Sequence, residues 1–107
     1  MSENQTSELT KRVMIVGKHD YIIEKLEGIL KLAKFGTLGS SDPERIMRML
    51  REEDFDLLLI GGGIEPHSRL AYIEYIQSHK PEVRVVEHYG GPATILSEVH
   101  GALGFTA

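Results

Sequence analysis

The triplet Gly61-Gly62-Gly63 follows the apolar run Leu57-Leu58-Leu59-Ile60, and three of the five histidines stand at comparable places. His19 comes just after Val13-Met14-Ile15-Val16, His67 just beyond the triglycine, and His88 just after Val83-Arg84-Val85-Val86. Consecutive glycines can offer backbone N–H groups to an anion, because no side chain keeps a ligand away from the main chain. The stretch lacks the Gly-Lys-Ser/Thr ending of a P-loop and the spacing of a dinucleotide fingerprint. For Gly61, Gly62 and Gly63, an anion site and a plain turn both stay open. Histidine ligates divalent metals and changes charge near neutral pH. His19, His67 and His88, beside Asp20, Glu65 and Glu87, form a candidate metal set whose members must converge from separate loops. The alternative is an edge that simply collects polar loop residues. His79 and His100 fall on expected helices and read as surface residues. No other cofactor is indicated.

Positioning these residues is the task of the apolar runs. Leu57 to Ile60 is short and uninterrupted, which suits a strand buried on both faces at the centre of a parallel sheet. Val13 to Val16 and Val83 to Val86 are further strand candidates, and Phe35 to Ser40 is a glycine-containing one. Helical spacing predicts a helix from Tyr21 to about Lys34 with Asp20 as its cap. Ile22, Ile23, Leu26, Ile29, Leu30 and Ala33 make its buried stripe, and Gly28 sits where helix and sheet would approach closely. Ser41-Asp42-Pro43 opens a second helix that runs to about Glu53. Glu65-Pro66-His67 opens a third, which stops near Lys80-Pro81, and Gly90-Gly91-Pro92 opens a fourth over Ala93 to Leu103 with Gly104 as its stop. The alternation β-α-β-α-β-α-β-α implies parallel strands and right-handed crossovers. A four-stranded sheet of order 2-1-3-4 is expected.

Composition narrows the function. The 107 residues suit one domain, with residues 1–10 a polar lead-in and residues 11–107 the folded unit. A formal charge of −4 and the lack of a basic run disfavour nucleic acid as a partner. The absence of cysteine excludes disulfides, thiolate metal sites and cysteine nucleophiles. No apolar run approaches the roughly 20 residues that span a bilayer. The polar start does not read as a signal peptide, so the cytoplasm is the default location.

The pattern from about Lys11 to Leu103 resembles the receiver domain of two-component response regulators. Lys11-Arg12-Val13-Met14-Ile15-Val16 is similar to that family's opening strand. Asp42 to Glu53 is similar to its second helix, and Asp56 to Ile60 to its third strand. Gly91-Pro92 with Ile95, Leu96 and Val99 is similar to its step into the last helix. The resemblance implies a doubly wound, flavodoxin-like three-layer sandwich with a regulatory role in signal transduction. It also shows what has been replaced. The family's magnesium-binding acidic pair falls on Gly17 and Lys18, and its phosphorylated aspartate falls on Gly61. Its Ser/Thr falls near Glu87 or His88, and its lysine before proline falls on Gly91. Phosphoryl transfer to an aspartate needs that carboxylate and a cation, so no such activity, and no enzyme, is expected. The family has five strands and five helices against four of each here, the shortfall lying between the fourth strand and the last helix. That leaves the fourth strand at an edge, and exposed edges tend to be paired. A symmetric homodimer or another protein partner is therefore expected, through Val86, Tyr89, Ile95 and Val99; Tyr72 and Tyr75 read as rings partly buried at helix margins, with a place on the partner surface as the alternative. The alternative function is a small-ligand or divalent-metal binder using the carboxyl edge of the sheet.

Overall fold

A computed structural model describes residues 10–89 and 91–104, so the expected lead-in lies, except for Thr10, outside the described residues. Strands β1 (Arg12–Val16), β2 (Gly36–Ser40), β3 (Leu57–Gly61) and β4 (Arg84–His88) alternate with helices α1 (Asp20–Leu32), α2 (Pro43–Glu52), α3 (Pro66–His79) and α4 (Ile95–Leu103). The sheet is parallel throughout, in the order β2-β1-β3-β4. This is the doubly wound, flavodoxin-like arrangement expected above.

Side chains that alternate along the strands divide the core in two. Met14, Val16, Leu58 and Ile60 face α2 and α3 and meet Ile46, Leu50, Tyr72 and Ile76. Val13, Ile15, Leu57 and Leu59 face α1 and α4 and meet Ile23, Leu26, Leu30, Ile95 and Val99. Because both faces are covered, the four residues from Leu57 to Ile60 are all inaccessible to solvent. Asp56 fixes the register at the amino ends of three strands. Its N–H donates to the Arg12 carbonyl and its carboxylate accepts from the Arg12 N–H, while its own carbonyl accepts from Arg84 N–H.

Local chemistry explains the helix ends. Asp42 caps α2 by accepting from Arg45 N–H at 3.0 Å, with Pro43 in the first turn, where no N–H is needed. Helix α1 starts differently from expectation. His19 is the capping position and makes no side-chain cap bond; Asp20 is already helical and accepts from Ser41 Oγ at 2.6 Å. At its other end Lys34 takes φ 75°, letting Phe35 N–H reach the Leu30 carbonyl and Lys34 N–H the Lys31 carbonyl. That is a Schellman closure, a place glycine usually fills. Gly28 is exposed, and a Cβ added there would meet nothing within 4 Å, so it serves no close helix–sheet contact. The last helix begins with a 3₁₀ turn, Pro92–Thr94, before α4, and ends at Gly104 with φ 81°. No helix among the described residues is long and apolar enough to cross a membrane.

The expected interface needs correction. Ile95 and Val99 have no exposed surface and belong to the core under α4. An apolar helix face predicts burial, and here the chain's own sheet supplies it. Val86 is half-buried, and Tyr89 is 66% exposed. Tyr72 is a core residue. His100 is half-buried and its ring lies 5.6 Å from that of Phe35, whereas His79 is exposed as expected.

Candidate functional site at the carboxyl edge

In an open α/β sheet, ligands bind where neighbouring strands send their connections to opposite faces, beyond the carboxyl ends. For this strand order that point lies between β1 and β3. A cleft of about 460 Å³ opens there on the α1/α4 side. Gly17, Lys18 and His19 line it from the end of β1, and Gly61, Gly62 and Gly63 from the end of β3. Ile22, Lys25 and Leu26 line it from the first turns of α1, and His88, Tyr89, Gly91 and Pro92 from β4 and the step into α4. A smaller cavity of about 210 Å³ lies on the α2/α3 side, with Gly17, Lys18 and Gly63 shared between the two.

The residues singled out by sequence divide. Gly61, Gly62, Gly63, His19 and His88 all line the larger cleft, but His67 does not. His67 is exposed, and its Nε2 lies 3.5 Å from Glu65 Oε1. His19 is exposed and stacks on the Tyr21 ring at 5.5 Å. His88 is buried, and its Nδ1 lies 2.7 Å from Glu98 Oε1. A carboxylate only accepts, so Nδ1 is the donor in this pair. Thr94 Oγ1 donates to the other Glu98 oxygen at 2.9 Å. Among the described residues no three His, Asp or Glu side chains come together as a metal-ligand group.

The triglycine turn is held from behind. Arg69 donates to the Ile64 carbonyl at 2.6 Å and to the Gly62 carbonyl at 3.3 Å. Its buried Nε stands 3.4 Å from Glu87, close enough to be attracted but not aligned for a hydrogen bond. The guanidinium also lies 5.4 Å from the centre of the Tyr89 ring, whose hydroxyl donates to Glu87 at 3.1 Å. Sequence reasoning named neither Arg69 nor the cleft's Lys18–Lys25 pair as site residues. Ile22, Lys25 and Leu26 share one helix face by their three- and four-residue spacing. The legible signal was that Ile22 and Leu26 belong to an apolar stripe with Lys25 on its margin.

In the smaller cavity, Tyr72 has a perturbed ionisation. Its phenol is raised above the usual value of 10.0 by burial, and secondarily by the Asp42 carboxylate. A raised folded-state value means the folded protein resists losing this proton. The contribution to stability is full below about pH 10 and is lost as pH rises through the higher folded value. Denaturant midpoints should therefore fall above about pH 10, and the fall should be shallower in Tyr72→Phe.

No protein-family model matches this chain, and no curated protein is similar enough to it to count as a relative.

Proposed function

We propose that this chain is a receiver-like regulatory domain that works through binding rather than through phosphorylation, with a second copy of itself as the first partner to test. One observation carries the reading. The doubly wound sheet is intact, while the end of β1 carries Gly17 and Lys18 and the end of β3 carries Gly61. At these places the resembled family keeps its acids. A lysine ammonium there repels magnesium and removes the reason for a carboxylate nucleophile. The outer edge of β4 supports the partner, since this strand pairs only with β3 among the described residues. Of the surface first expected, Val86 and Tyr89 remain accessible to such a partner.

Incubation with a small acyl phosphate and magnesium should leave the intact mass without a phosphoryl adduct. Light scattering at micromolar concentration should give the mass of two chains. An acid-stable or acid-labile phosphoryl adduct would overturn the first half of the reading, and a monomer at every concentration the second.

A further inference from the structure

We infer that the cleft between the ends of β1 and β3 binds a small organic phosphate with a flat apolar body, the chemical class of a nucleoside monophosphate. The inference rests on reading the domain as one that works through binding rather than through phosphorylation. It adds that the ligand is a bound phosphate ester rather than a covalent phosphoryl group.

Charge gives the first reason. The chain has 16 acidic residues against 12 Lys and Arg. Yet among the described residues no carboxylate lines this cleft, Glu87 and Glu98 standing behind it on Tyr89 and His88, whereas Lys18 and Lys25 both line it. A concave surface that carries two ammonium groups, and whose neighbouring carboxylates are taken up by His88 and Tyr89, attracts anions even on a protein of net negative charge. Gly62 and Gly63 are exposed on the same wall, so a phosphate can approach the main chain there without meeting a side chain of the turn.

Apolar surface gives the second. Ile22 belongs to the helix stripe by spacing and is nevertheless 41% exposed, and Tyr89 is 66% exposed. Both line the cleft. Apolar walls with a few charged groups are what a drug-sized ligand site presents, and about 460 Å³ falls in the usual range of roughly 300–1,000 Å³. A purely inorganic anion would leave that apolar surface unused.

Preorganisation gives the third. Tyr89 rests so closely on Gly62 that a Cβ on the glycine would lie 3.0 Å from Tyr89 Cδ1. Arg69 and Glu87 hold the same ring. His88 is fixed by Glu98, which Thr94 fixes in turn. Side chains that are already held lose little further freedom on binding.

The test is calorimetry and thermal shift on the full chain with AMP, GMP, CMP and UMP in turn, up to millimolar concentration. Adenosine and inorganic phosphate serve as the two halves of the ligand. At least one mononucleotide should raise Tm by about 5 °C at ten times its Kd. Lys18→Gln and Lys25→Gln should each weaken it by about tenfold, the usual worth of a charged hydrogen bond. Lys31→Gln, an exposed lysine of α1 outside the cleft, should not change affinity. Tyr89→Ala should weaken the mononucleotide and leave inorganic phosphate as it was. No shift with any mononucleotide overturns the inference. So does inorganic phosphate binding as tightly as the esters, or unchanged affinity in both lysine variants. None of these outcomes alters the phosphodonor or light-scattering results, so this inference and the broader reading can fail separately.

Discussion

Leu58→Ala and Leu59→Ala are each expected to destabilise the fold by about 2–5 kcal/mol, the cost of a buried leucine lost from a core that only partly collapses. Both side chains are inaccessible to solvent, and they sit on opposite faces of the central strand. Leu58 belongs to the cluster under α2 and α3, Leu59 to the cluster under α1 and α4. The two are adjacent along β3, so the double variant also measures how far their effects depart from additivity. A domain of this size has about 5–15 kcal/mol to lose, so the double variant should be largely unfolded in water. Urea titration read by far-ultraviolet circular dichroism measures both quantities. A single variant with an unchanged midpoint would mean that β3 is not the buried centre of the sheet.

Gly39→Ala should cost about 1–3 kcal/mol, although it adds only one methyl group. Gly39 lies in β2 opposite Ile15 of β1, and α1 crosses above it. A Cβ there would stand 2.8 Å from the Ile15 carbonyl oxygen and 2.8 Å from Ile23 Cγ2. The first of these is backbone within the sheet and cannot turn aside, so strand or helix must shift. Gly28→Ala is the matching control. It adds the same methyl group at an exposed helical position with nothing within 4 Å, and should stabilise by about 0.5–1 kcal/mol. Opposite signs from the same substitution would locate the tight seam at β2 and α1. Equal effects would remove it.

Those two glycines show which parts of this fold were legible in the sequence. An uninterrupted apolar run announces a strand covered on both faces, so Leu57 to Ile60 could be read from pattern; the alternation of strands and helices implies parallel pairing, while the order 2-1-3-4 is a choice within the doubly wound class. Asp42-Pro43 and Gly104 declared helix ends because their chemistry is local. Close approaches are different. Gly28 and Gly39 look alike in sequence, and only the third dimension shows that one is crowded and the other free. Lys34 gave no sign of its positive φ, because the Schellman closure there is sustained by Leu30 and Phe35 in the core rather than by a glycine. The apolar face of α4 is readable as a face, but not what covers it, so sequence alone points Ile95 and Val99 at a partner while the fold puts them in the core. The candidate site was half legible. Its glycines and two of its histidines stood out by position, whereas Lys25, Ile22 and Arg69 reach the carboxyl edge only because α1 and α3 bring them there.

The order β2-β1-β3-β4 has a consequence for how the chain is born. Of its two interior strands, β1 is the first to leave the ribosome and β3 the third. Until residues 57–61 emerge, β1 has a partner on one side only, and Val13 to Val16 wait with half their cover missing. A nascent chain halted ahead of Leu57 is therefore a sticky fragment with an open strand edge, a client for chaperones and proteases rather than a smaller version of the domain.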